Sequence, residues 1–385
     1  MNREIETRKV WTITIFLAVC LGGMIMQMRG PLLPSFKETF SVSESFLGLV
    51  APAGSISFLV SILFFGMKTG EINIKKYLWI GIGVNSIFVF LIGSSPTFFI
   101  LLGFFFGGGV AAGVRVGLSR PVLSHLFPNR RGWIFNLYDL AWAVGAFLGP
   151  LYVTLITAFG SWRFSYIILA FAFIPIVITL QRKDMPSVVG KEQPIALRNL
   201  REMLKKPAMI GMILIIFTSA GVEGGFFTWL PYYLNQFFSQ KTANLALSGY
   251  LAAYIPGRLF HSWISEKTDY LRLILLDSLI SVPFLIYTFF IADGYSMLAS
   301  IFMVGFLVSG IFPTILAFGT DISPEHSGPV NALAMSSSTL GISTFSITIG
   351  VIADLFSIEP AMKILVILMG GVAATSYLTQ IISRK

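Results

Sequence analysis

The chain has 385 residues, of which 55% are hydrophobic and only 12% charged, about half of the roughly 25% charge found in a soluble domain. So few charges could not cover a water-soluble surface, which excludes a soluble globular protein and leaves an integral membrane protein. The net charge of +9 is read as Lys and Arg gathered on cytoplasmic loops, not as a nucleic-acid surface, and the single Cys, Cys20, excludes an internal disulfide framework.

MNREIETRK at the start is a short charged tail. The apolar run after it is too long for a signal-peptide core and lacks an A-x-A-like cleavage site, so it reads as a retained first span. A helix needs about 20 apolar residues to cross the hydrocarbon. Twelve segments qualify: 10–34, 44–66, 77–95, 97–126, 132–158, 162–181, 207–235, 244–265, 271–292, 295–319, 327–353 and 359–382. The connections GSSPT around Pro96 and ADGY around Gly294 are the shortest, and a re-entrant segment is the alternative at each. With a cytoplasmic N-terminus, the cytoplasmic side collects most Lys and Arg, from Arg3, Arg8 and Lys9 to Arg384 and Lys385. The opposite side has little beyond Lys37, Arg163, Lys241 and Lys363. That asymmetry puts both termini in the cytoplasm of a multi-pass protein of the cell (inner or plasma) membrane.

The longest polar stretch, RKDMPSVVGKEQPIALRNLREMLKK, separates an N-terminal six-helix half (1–181) from a C-terminal one (207–385), with 182–206 as cytoplasmic linker. In it, Leu197, Leu200 and Leu204 share one face of an amphipathic surface helix after Pro194. The two halves repeat. LLPSFKETF ends span one and WLPYYLNQF ends span seven, which aligns Pro34 with Pro231. PNRRG precedes span five with Gly145 thirteen residues after Gly132, and PEHSG precedes span eleven with Gly341 thirteen residues after Gly328. Two matches in register indicate a parallel six-plus-six repeat, an architecture whose substrate sites lie near the midplane.

With FPNRRG before span five, GAFLGP within it and GSWR opening span six, the whole chain resembles the major facilitator superfamily. That resemblance implies an all-α membrane protein of twelve transmembrane helices, two six-helix halves in pseudo-twofold parallel repeat, working by alternating access. The loop between spans two and three, GMKTGEINIKK, carries Gly70 where the family pattern has Asp, and GRLFHSWISEK after span eight is a partial echo of it. Span seven resembles that of fucose-type sugar symporters, which often carry a Gly, a Glu and a Trp in this region. Arginines in spans one and four resemble the anion-transporting branch, although that branch also has carboxylates in span four and this sequence has none.

Intramembrane charge costs from about 2.5 to more than 10 kcal/mol, so each ionisable residue inside a span is a functional candidate. Glu223, near the middle of span seven, stands among Gly221, Gly224 and Gly225, where thin backbone cover favours an interrupted helix lining a cavity. A carboxylate facing a partly dry cavity has the chemistry of a proton carrier, and a structural pair is the alternative. Arg29, before Pro31 and Pro34, suits bidentate capture of a carboxylate or phosphate, snorkelling to the surface, or pairing with Glu223. Arg115 on span four and Asp139 on span five are expected to pair, as a structural ion pair or a gate. Asp139 is the second candidate for proton coupling. Gln27, Asn136, Trp142 and Phe227 are further candidates for substrate contact. Arg120, Arg258, Asp277 and Asp354 fall near helix ends and read as boundary or loop-lock residues. Tyr232 and Tyr233 read as an interfacial aromatic belt. Gly145-x-x-x-Gly149-Pro150 resembles part of a drug-antiporter motif, but close helix packing accounts for it, as it does for the glycines of GFFFGGGVAAG.

No H-E-x-x-H, phosphate loop or cysteine cluster is present, and His125, His261 and His326 lack metal spacing. The expectation is a non-enzymatic transporter that needs no cofactor or metal and binds no nucleic acid. It is expected to act as a monomer in the lipid bilayer, moving a small polar organic solute (a sugar or organic acid), with protons as the coupling ion. A proton-driven multidrug antiporter and a non-transporting receptor or scaffold are the alternatives.

Overall fold

A computed structural model describes residues 2–67, 72–127, 130–184, 203–265, 267–323 and 327–383. Among the described residues all regular structure is helical, as lipid demands of a chain that must satisfy its backbone polar groups within each segment. Most of the linker and part of the loop between spans two and three lie outside them, including Gly70 and the expected surface helix at Leu197 and Leu200.

Among the described residues, eleven helices are long and apolar enough to cross a membrane. The remaining expected span, span eight at 244–265, is divided into Gln240–Ala252 and Tyr254–Ser265. Pro256 lies just past the break, and its missing N–H leaves the carbonyl of Ala252 without its helical donor. Span one is divided in the same way at Met28, into Asn2–Gln27 and Arg29–Phe40. Here Pro31 cannot donate to the carbonyl of Gln27. Span seven differs from the expectation, being one unbroken helix, Pro207–Leu234, with Pro231 inside it. Its glycines are not thinly covered either: a Cβ on Gly221, Gly224 or Gly225 would come within 3.0 Å of Phe345, Ile342 or Leu365 respectively. They are contact points for spans eleven and twelve, so packing holds the backbone helical.

The chain divides into two compact units, one of Met1–Ser35 and Ala53–Pro194, the other of Phe36–Pro52 and Ile195–Lys385. Within the first, spans one and five meet backbone to backbone, since a Cβ on Gly145 would fall under 3.0 Å from the carbonyl oxygen of Cys20 and one on Gly149 would lie 2.8 Å from that of Met24. Within the second, Gly341 of span eleven meets the carbonyl oxygen of Phe217 in span seven in the same way. Phe217 follows Cys20 by the 197 residues that separate Pro231 from Pro34, so the two contacts occupy equivalent places in the repeat. One turn on, the sizes exchange: Gly149 faces Met24 in the first unit, while Phe345 faces Gly221 in the second.

The segment Phe36–Pro52 belongs to the second unit. The Lys37 ammonium donates to Glu44 and to the Tyr232 hydroxyl at 3.0 Å, and Tyr232 donates to Glu44 at 2.7 Å. Partial burial disfavours the charged Lys37 ammonium, but its bonds to Glu44 and Tyr232 outweigh this and hold its pKa above the ordinary lysine value. Ser45 donates to Asp354 at 2.6 Å, and the Trp229 indole donates to the carbonyl of Ser346 at 3.1 Å. Tyr232 is therefore a partner of an ion pair, and Tyr233 is buried rather than exposed as a lipid-facing anchor would be. Asp354, at its helix end, is held by a serine hydroxyl.

Candidate functional site

The carboxylate of Glu223 is met from the divided span eight. Tyr254 donates its hydroxyl hydrogen to Glu223 Oε1 at 2.7 Å, and the Tyr250 and Tyr254 hydroxyls are 3.1 Å apart. With the Tyr254 hydrogen given to the carboxylate, Tyr250 donates to Tyr254, making a chain of two phenols that ends on an acid. Phe226 stacks on Tyr250 at 4.6 Å with rings 4° from parallel, and Phe227 meets Tyr250 edge-on at 6.2 Å. Phe227 also meets Tyr254 at 6.4 Å, so aromatic rings pack against both phenols. Arg258, one turn after Tyr254, lies over the Tyr254 ring at 5.6 Å. It faces inward, which corrects its reading as a loop-lock residue.

In the first unit Arg29 lies 5.0 Å over the Phe105 ring and flat against Gly54, where a Cβ would displace the guanidinium. Arg115 is 5% exposed, rests against Gly22 in the same manner, and its Nε has no hydrogen-bond partner among the described residues. Gly22 and Arg29 are seven residues apart on span one, about 10 Å of helical rise, so the two guanidinium groups stand at different depths. Gln27 is fully buried beside Gly149, and among the described residues neither its amide nitrogen nor its oxygen has a hydrogen-bond partner. Such groups are costly to leave unsatisfied. Trp142 is half-buried and its carbonyl packs against Gly23; the side chain of Asn136 lies outside the described residues.

The expected Arg115–Asp139 pair does not form. Asp139 instead accepts from Arg120 at 2.8 Å, with the two side chains 46% and 41% exposed. Arg120 and Asp139 lie at similar distances from the turn joining spans four and five, whereas Arg115 lies more than a turn deeper. At this exposure the pair contributes about 0–1 kcal/mol. Arg120→Gln or Asp139→Asn is therefore expected to shift the Tm of purified protein only slightly; a loss of more than about 10 °C would show a stronger structural role.

Sequence reading missed the phenols on span eight. The signal was present as Tyr250-x-x-x-Tyr254, an i,i+4 pair on one helical face. It also placed Asp277 at a helix boundary, whereas Asp277 is buried and bonded to His261 at 2.9 Å.

The sequence profile of the Major Facilitator Superfamily matches residues 15–240 and 238–381. Among similar proteins, the glucose/mannose transporter GlcP of Bacillus subtilis (strain 168) is 21% identical over 345 residues, 85% of this chain and 84% of that protein. Protein TsgA of Escherichia coli O157:H7 (strain EC4115 / EHEC) is 21% identical over 341 residues, 86% and 85% of the two chains. A bacterial homologue of the human lysosomal transporter Spinster, solved inward-facing and unoccupied, has the same fold with a TM-score of 0.85 at 14% identity, over 98% of this chain and 97% of that one. A D-xylose–proton symporter superposes with a TM-score of 0.74 at 15% identity, over 96% of each chain.

Proposed function

The chain belongs to the Major Facilitator Superfamily of membrane transporters, and we propose that it carries a small polar organic solute, a sugar or an organic acid, by proton-coupled alternating access. The observation that carries this reading is Glu223, an acid in the middle of a continuous transmembrane helix whose oxygen accepts from Tyr254 at 2.7 Å. A carboxylate so placed is expensive unless it is protonated or hydrogen-bonded. Binding and losing a proton therefore changes the energy of the site, which is what coupling requires. Asp139, engaged by Arg120, is the second coupling candidate.

Arg29, Arg115, Gln27, Asn136, Trp142 and Phe227 are the proposed substrate contacts. The family relative named a glucose/mannose transporter and the fold neighbour named a D-xylose–proton symporter support the sugar side of the reading. Arg115, with Nε unbonded and no carboxylate paired to it among the described residues, supports the organic-acid side. The proposed setting is the cell membrane, with both termini cytoplasmic and the protein monomeric. The unit boundaries proposed for transport are the two halves 1–181 and 207–385 about the linker.

A thermal-shift screen of purified protein against sugars, organic acids and cationic drugs tests the reading, because a ligand at 100 times its Kd stabilises by about 2.7 kcal/mol. The expected outcome is a Tm rise with members of one of the first two classes. A rise with cationic drugs alone would replace this reading with that of a drug antiporter. For an organic-acid ligand, Arg115→Gln is expected to abolish the shift; an unchanged shift would remove Arg115 from the site.

A further inference from the structure

The second unit contains a buried titratable pair that the proposed coupling at Glu223 does not use. His261 on Tyr254–Ser265 and Asp277 on Tyr270–Ile286 are 2% and 6% exposed at their side chains, with Nε2 and Oδ2 2.9 Å apart. The other ring nitrogen, Nδ1, lies 2.6 Å from the carbonyl oxygen of Gly257. A carbonyl only accepts, so Nδ1 carries a hydrogen. The Nε2–Oδ2 contact then needs a second hydrogen, either on Nε2, giving imidazolium and carboxylate, or on Oδ2, giving imidazole and carboxylic acid. In both forms the pair has no net charge and holds one proton more than a neutral histidine beside a carboxylate. Without that proton, two lone pairs would face each other and an unpaired negative charge would remain in a dry site, which is strongly unfavourable.

The surroundings leave this requirement to the pair alone. Phe260 meets the imidazole edge-on at 5.4 Å and Phe306 lies 6.1 Å away. Gly310 presses on the ring so closely that a Cβ there would come within 3.0 Å of it. Among the described residues, the charged groups on the neighbouring elements are otherwise engaged or exposed. Arg258 lies over Tyr254 and Lys267 lies 3.7 Å over Trp263. Asp269 accepts from the backbone N–H of Arg272 at 3.0 Å, and the Arg272 and Asp321 side chains are exposed. Among the described residues none of them pairs with His261 or Asp277.

We propose that His261 and Asp277 form a second proton-binding site, separate from Glu223, whose bound proton joins span eight to span nine. The test uses the full chain with His125→Gln and His326→Gln, which leaves His261 as the only one of three histidines. Nitrogen-15 NMR of the ring and infrared spectroscopy of the carboxyl groups locate the proton. At pH 8 a solvated histidine of pKa about 6.5 and an aspartate of about 3.9 would hold no proton on this bond. The expected result is a hydrogen on both ring nitrogens, or a protonated-carboxyl band that Asp277→Asn removes. In Asp277→Asn the amide donates to Nε2, so the bond survives and Nε2 carries no hydrogen. Glu223→Gln leaves the signature unchanged if the sites are separate. If the double histidine variant does not fold, the difference between the unmodified chain and His261→Gln assigns the same signals. A single ring hydrogen at pH 8, on either nitrogen, together with no carboxyl band sensitive to Asp277→Asn, overturns the proposal. Loss of the signature in Glu223→Gln overturns the separateness of the site.

Discussion

Glu223→Gln is expected to reduce proton-gradient-driven uptake in reconstituted vesicles from accumulation to simple equilibration. A pH difference of one unit corresponds to 1.36 kcal/mol per proton, so one-to-one coupling supports about tenfold accumulation, against about unity in the variant. Glutamine keeps the size of the side chain, and its amide oxygen can still accept from Tyr254, so the 2.7 Å hydrogen bond and the stacked Phe226–Tyr250 wall need not move. What disappears is the group that binds and releases a proton. Exchange of labelled for unlabelled solute, which needs no net proton movement, should therefore survive. The contrast between surviving exchange and lost accumulation separates a coupling role from general damage. Full accumulation in the variant would sink the coupling role, whereas loss of both activities would place Glu223 in substrate binding or folding.

The largest stability effects are expected at Gly145 and Gly341. A methyl group at either position would lie closer than 3.0 Å to a backbone carbonyl oxygen, that of Cys20 or Phe217. A backbone carbonyl inside a helix cannot rotate aside as a side chain does, so two helices must separate along their contact. Overpacking of this kind costs about 1–3 kcal/mol, and more where nothing yields. Gly103→Ala is the control, because nothing lies within 4 Å of its added Cβ. Alanine should there be neutral or stabilising by up to about 1 kcal/mol. The expected order of Tm is Gly103→Ala at or above the parent, with Gly145→Ala and Gly341→Ala well below it. Equal melting of Gly341→Ala and Gly103→Ala would show that spans seven and eleven are not in backbone contact.

The repeat was legible because it is carried by residue types that are hard to replace. A proline near a helix end and a glycine where two backbones meet keep their places, so Pro34 aligned with Pro231 and Gly145 with Gly341 from the sequence. The glycine contacts at Cys20 and Phe217 stand in that same register. Asp139 shows the opposite case. Counting residues from a helix end gave Arg115 as its partner, an error of five residues against the observed Arg120. Five residues are about 7.5 Å of rise, more than the reach over which an ion pair forms. Glu223 was conspicuous as a lone acid, yet its partners were not legible, because Tyr254 is 31 residues away on a helix broken at Ala253.

Composition alone determined that this chain lives in a membrane, since 12% charge cannot solvate a surface of this size. Hydrophobic length determined where the spans run, because each must bridge the hydrocarbon and satisfy its own backbone. Those are local or summed properties, and a sequence displays them directly. The interruption of spans one and eight, the continuity of span seven through Gly221, Gly224 and Gly225, and the partners of Asp139, Glu223 and Asp277 were decided by tertiary structure. Each depends on which helices approach within a few ångströms and at what rotation. Side-chain hydrogen bonds and ion pairs are short-ranged, so an error of one turn in depth or one face in rotation changes every partner.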